Sequence, residues 1–146
     1  MRRLVAAIAL MALATASFGK SDETIEQLVA RADAARVDQQ PDLYMDVAQR
    51  ALQSATEDYK ADKIDEFSAA VGQVVKYSDS ARAAALHSGK HLKNTEIKIR
   101  ELAIHLRDMQ LNVDVDEQPP VQAAIDRLEG FRTELLHAMF GSKSGK

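Results

Sequence analysis

Residues 62–113 read DKIDEFSAAVGQVVKYSDSARAAALHSGKHLKNTEIKIRELAIHLRDMQLNV. Along this stretch Ile64, Phe67, Val71, Val74, Ser78, Ala81, Ala85, Ser88, Leu92, Thr95, Ile99, Leu102, Leu106, Met109 and Val113 recur at steps of three and four residues without a slip. At 3.6 residues per turn such steps stay on one helix face, so the seam marks a helix packed lengthwise on a neighbour. It passes through Gly89 in phase, and glycine inside a helix costs only about 1 kcal/mol relative to alanine. The pattern predicts one long helix over about 62–112, bent near Gly89. The competing reading is two helices joined by a turn at Ser88-Gly89-Lys90. Ile97, Ile104 and Leu111 add a second stripe, which predicts that the C-terminal half contacts two neighbours. The middle of the main seam is small or polar at Ser78, Ala81, Ala85 and Ser88.

Outward from this seam the same period continues. Ile25, Leu28, Val29 and Ala32 predict a helix over about 22–37, with Ser21 or Asp22 as its cap and acidic residues in its first turn. Asp38-Gln39-Gln40-Pro41-Asp42 interrupts it, because proline inside a helix forfeits a hydrogen bond. A second helix follows to about Tyr59, with Leu43, Tyr44, Val47, Ala48, Ala51, Leu52 and Ala55 on one face, and Ala61-Asp62 connects it tightly onward. Val113 to Gln118 is a polar, acidic turn, and Pro119-Pro120 opens a last helix that runs to about Phe140. The expected fold is all-α: four or five helices in a bundle or hairpin stack around one long helix.

The N-terminus carries a different signal. Met1-Arg2-Arg3 is followed by the uncharged run Leu4 to Leu13 and by the small residues of Ala14-Thr15-Ala16. This is the layout of a secretory signal peptide, and the apolar run is too short for a permanent membrane span. Residues 1–19 are therefore expected to be a cleaved signal, 20–141 a single helical domain and 142–146 a disordered tail. No cysteine follows the run to take a lipid, so no permanent membrane anchor is expected after cleavage. The destination is periplasmic or extracellular.

The chain of 146 residues has no cysteine and no tryptophan, and its formal net charge is −3. A core must therefore hold it without disulfides in an oxidising compartment. Residues 20–66 hold six Lys/Arg against twelve Asp/Glu, residues 67–112 seven against four, and residues 113–146 four against six. A mildly acidic chain with a basic middle lacks the footprint of a nucleic-acid binder. The basic middle contains Arg82, Lys90, Lys93, Lys98 and Arg100, which are the candidate partner-binding residues.

Within residues 48–75, Leu52, Ala55, Tyr59, the Lys60–Lys63 turn, Phe67 and Ala69-Ala70 stand where a tetratricopeptide-like helical hairpin places large and small residues. The segment resembles that hairpin over about thirty-five residues with its flanks, departs from it at Gly72, where an aromatic is expected, and is not followed by a second copy. The resemblance implies an adaptor that binds partner peptides or proteins. In size, address and composition the chain is also similar to small helical envelope chaperones, although their repeated Leu-Thr-x-x-Gln motif is missing.

Most candidate chemistry fails on ligand number. Glu134-x-x-His137 has the spacing of a di-iron motif, but two copies and two further glutamates are needed. His87 and His91 would share a helix face if the helix ran through Gly89, as would Glu101 and His105. Zinc or copper needs three or four convergent ligands, so His87, His91, Glu134 and His137 are only weak metal candidates. Asn112 to Asp116 imitates a calcium loop without its glycine or closing glutamate, and Gly89-Lys90 lacks the rest of a phosphate loop. Met45, Met109, Met139, His105 and His137 could ligate a non-covalent haem, yet at helical spacing such residues ordinarily build core. No nucleophile elbow or Ser/His/Asp grouping is present, and no cofactor is expected.

The sequence therefore points to a non-enzymatic, exported helical interaction protein, an adaptor or scaffold acting on a protein partner or on itself. A periplasmic chaperone or stress protein is the alternative, and a metal- or haem-binding bundle a second one.

Overall fold

The computed structural model describes residues 23–141. The expected signal peptide at 1–19 and tail at 142–146 lie outside them. Five α-helices and one short 3₁₀ turn account for nearly all of this span, and no strand occurs among the described residues. The helices are α1 (Ile25–Ala34), α2 (Gln40–Lys60), α3 (Ile64–Ser88), α4 (Leu92–Gln110) and α5 (Gln118–Phe140), with the 3₁₀ turn at Val115–Glu117. The fold is an all-α helical bundle.

Local chemistry sets the ends. Thr24 caps α1 in a reciprocal box: its hydroxyl accepts from the Gln27 backbone, and the Gln27 side chain accepts from the Thr24 backbone. The start of α1 is thus three residues later than expected, because Thr24 rather than Ser21 or Asp22 satisfies the first amides. Pro41 occupies the first turn of α2 and the Pro119-Pro120 pair the first turn of α5, where a missing N–H costs nothing.

The single long helix over 62–112 does not form. The chain breaks at Gly89, which adopts a left-handed φ of 68° and donates its N–H to Ala85 O. His91 follows with a φ of 62°, and two left-handed residues within three positions reverse the chain. The seam survives the break because its phase states which face is apolar, and both helices turn that face to the same core. Ser78, Ala81 and Ala85 are fully buried within the chain, so this small-residue stretch is packed against its own neighbours rather than left for a second copy.

α2 and α3 pair as an antiparallel hairpin, as do α4 and α5, and the hairpins stack. Arg132 of α5 reaches Glu96 near the start of α4, while Gln110 near its end reaches Gln122, as antiparallel pairing requires. Across the stack α2 lies parallel to α4, and α3 parallel to α5. Asp42 at the start of α2 meets Asn94 and Lys98 at the start of α4, and Arg82 late in α3 meets Glu134 late in α5. α1 lies against α2. Met45, Val47, Phe67, Val74, Ile99, Leu106, Leu128 and Leu135 are fully buried between the layers. Removing a side chain of this size from water stabilises the fold by about 1.5–3 kcal/mol.

Candidate binding groove

The parallel pair α2 and α4 is pinned at both ends. At one end the Asp42 carboxylate accepts from Asn94 Nδ2 at 2.6 Å and faces His91 Nδ1 at 3.2 Å and Lys98 Nζ at 3.5 Å. At the other the Tyr59 hydroxyl accepts from the Asp114 backbone N–H at 2.9 Å. Between the pins, toward the Tyr59 end, the helices leave a groove of about 680 Å³. That volume lies in the range of specific ligand and peptide pockets.

Helical period builds each wall. Gln49, Leu52, Gln53, Thr56, Tyr59 and Lys60 fall on one stripe of α2. Glu101, Leu102, His105, Asp108, Met109 and Asn112 fall on the facing stripe of α4, and Val113 closes the far end. Leu102 and Val113 are buried, and Leu52, Tyr59 and Met109 are half-buried against the core. The walls are therefore mainly apolar, while Gln49, Gln53, Lys60, Glu101, His105, Asp108 and Asn112 stand exposed along the rim. Each wall is about twelve residues long, or about 18 Å at 1.5 Å per residue.

Little of the lining surface is polar, and part of it is committed. The Thr56 hydroxyl donates to Leu52 O at 3.1 Å, which commits it to its own helix. A shallower depression between α1 and α2 is lined by Glu23, Arg31, Asp46 and Arg50 and shares Gln49 and Gln53 with the groove. Its walls are far more polar.

Four of the candidate basic residues lie on α4 or the turn before it, and Arg82 lies apart on α3. Lys90, Lys93 and Arg100 are exposed. Lys98 is drawn into the Asp42 pin. Arg82 sits on α3, bonded to Asp79 and, at 2.6 Å, to Glu134, with its guanidinium 5.3 Å from the Phe131 ring centroid. Burial alone would pull its pKa down, but the two carboxylates outweigh it and hold the guanidinium above its ordinary value.

The histidine pairings change with the helix break. His87 and His91 no longer share a helix face, because Gly89 ends α3 between them. Glu134 is taken up by Arg82, and the His137 imidazole lies against Gly141. Among the described residues no three His, Cys, Asp or Glu side chains come together in a way that could hold a metal ion. Glu101 and His105 do share a face, on the groove rim. The groove residues Leu52 and Met109 belong to the apolar seams read from the sequence, and nothing local distinguishes them from core. No helix among the described residues is long and apolar enough to cross a membrane.

Comparison of the chain with protein-family models, curated proteins and solved structures gives no match.

Proposed function

We propose that this chain is a non-enzymatic, exported interaction protein of the bacterial envelope, an adaptor or scaffold that seats the apolar face of a partner's amphipathic segment in the α2/α4 groove. The observation that carries this reading is the groove itself: an open, apolar trough about 18 Å long between two parallel helices. An amphipathic helix of three turns or so fills such a trough with anchors at i, i+3, i+4 and i+7. Glu101 and Asp108 on the rim, against Lys60 alone, favour a segment flanked by lysine or arginine. The signal-like layout of residues 1–19 supports the envelope address, and the resemblance of residues 48–75 to a tetratricopeptide-like hairpin supports an adaptor role.

The test is photocrosslinking in the native envelope from probes placed at Gln53 and His105, with Gln122 on α5 as the control position. A single partner, crosslinked through a basic amphipathic segment and lost in Leu52→Glu, supports the adaptor reading. Many unrelated clients captured at the same positions would replace it with the chaperone reading. Capture no greater than from Gln122 would remove the groove from the function.

A further inference from the structure

The outer face of α4 carries an apolar stripe that the described residues leave largely uncovered: Ile97 is half-buried beside Met139 of α5, and the stripe opens toward Ile104 and Leu111. Ile97, Ile104 and Leu111 repeat every seven residues, and Ile104 is 48% and Leu111 83% exposed. α4 does meet more than one neighbour, packing on α5 and also touching α2 and α3, but Ile104 and Leu111 of this stripe stay exposed. Val115, 78% exposed, extends it past the helix end.

The flanks of the stripe carry opposite charge. At 100° per residue, Lys93, Arg100 and Arg107 lie about 40–60° to the α5 side of the isoleucines, and Asn94, Glu101 and Asp108 about as far to the α2 side. Lys93, Arg100, Glu101 and Asp108 are exposed and have no ion-pair partner among the described residues, while Arg107 holds Glu129 at 2.8 Å. Its guanidinium has further donors free to turn outward.

We infer that this face of α4 is a self-association surface on which a second copy of the chain packs its own α4 in parallel and in register. A two-fold axis along the helices brings the basic flank of one copy against the acidic flank of the other. Arg100 then meets the other copy's Glu101, Arg107 meets Asp108, and Lys93 meets Asn94, each offset by one residue, about 1.5 Å along the axis. Antiparallel pairing about a perpendicular two-fold would set basic flank against basic flank and acidic against acidic, at a cost in free energy. Charge thus selects the second copy and its direction, and the isoleucine and leucine side chains supply the contact. The contact is narrow, so the dimer is weak, concentration-dependent and sensitive to salt. Its acidic flank, Glu101 and Asp108, borders the groove rim, but its apolar stripe and basic flank lie outside the groove, and the inference does not rest on the groove reading.

The absence of native cysteine makes the test direct. Single cysteines are introduced in the processed protein as Ile97→Cys, Ile104→Cys and Leu111→Cys, with Gln122→Cys on α5 as the exposed control. In a parallel pair all three positions face their own copies, so each forms disulfide dimers at least fivefold faster than the control. Sedimentation equilibrium then shows a dimer weakened at least fivefold by Arg100→Glu, restored by combining Arg100→Glu with Glu101→Arg, and unchanged by Leu52→Glu. Crosslinking at Ile104→Cys alone, or between Ile97→Cys and Leu111→Cys when the two are mixed, would mean antiparallel packing and overturn the inference. Crosslinking at the control rate, with a monomer at every concentration, would overturn it as well.

Discussion

Arg132 grips a single carboxylate oxygen of Glu96, Oε1, with both Nε and Nη2 at 2.9 Å. The Glu96 side chain is 7% exposed, and the same guanidinium reaches Glu129 through Nη1 at 2.8 Å. This pair fastens the start of α4 to the end of α5. Removing one partner of a buried pair leaves the other charge unmatched, whereas replacing both by apolar side chains is often neutral. Because Arg132 keeps Glu129 as a partner, Glu96→Ala should lower unfolding free energy in urea titration by about 1.5–3 kcal/mol, the range for a hydrogen bond to a charged group. The double replacement Glu96→Leu with Arg132→Leu should recover most of that loss. Equal losses in the single and double variants would show that the pair contributes little through charge.

Two glycines should respond to the same substitution with opposite sign. Gly89 has a left-handed φ of 68° with open space where a Cβ would sit, so Gly89→Ala meets backbone strain and no clash. The expected loss is about 1 kcal/mol. Gly72 lies inside α3, exposed and equally uncrowded, and Gly72→Ala should gain about 0.5–1 kcal/mol from helix propensity. Thermal unfolding of the two variants side by side checks the contrast.

Among the described residues the buried hydroxyls of Ser78 and Thr95 find no hydrogen-bond partner. Each group has given up water for nothing in return, so deleting it without changing shape should be favourable. Thr95→Val, nearly isosteric, should raise the urea midpoint by the equivalent of about 1 kcal/mol, and Ser78→Ala should be neutral or mildly stabilising. A marked loss in either variant would show that the hydroxyl is satisfied in solution.

Tyr44 connects α2 to α1 by donating its hydroxyl hydrogen to Asp33 Oδ1, and burial together with that carboxylate pushes its pKa up to about 12. The unfolded chain gives up the same proton near 10. Unfolding therefore releases a proton in this window, and the Tyr44 contribution is complete below pH 10 and lost as pH rises toward 12. Absorbance titration at 295 nm should show one of the three tyrosines ionising late. In Tyr44→Phe the late phase should vanish, and the alkaline fall in stability should shrink.

The helices and their buried faces were legible because period is a local property. Ala32, Val47, Phe67, Ile99 and Leu128 fall inward where the three- and four-residue steps place them. The reversal at Gly89 was legible only as the competing reading, because a seam that stays in phase reads the same whether the chain runs on or folds back. What decides it is the left-handed backbone at Gly89 and His91, and only the glycine announces such a conformation by its type. The groove was hidden for a related reason. Leu52 and Met109 read as ordinary seam residues, and their partial exposure follows from how α2 and α4 sit relative to each other, a relation between distant segments. The charges on α4 were visible, but the fate of Arg82 and Lys98 depended on Asp79, Glu134 and Asp42, two of which lie on other helices.

The tie between Tyr59 and Asp114 has an optical consequence. With no tryptophan, the ultraviolet emission of this chain comes from three tyrosines. Tyr44 and Tyr77 stack on each other with ring centroids 6.4 Å apart, away from the groove, while Tyr59 forms part of its wall. On the proposed reading, a guest seated in the groove would lie against Tyr59, whose hydroxyl holds the α4–α5 turn. The molecule thus carries its own gauge of occupancy, one emitter in three, needing no dye and no altered residue.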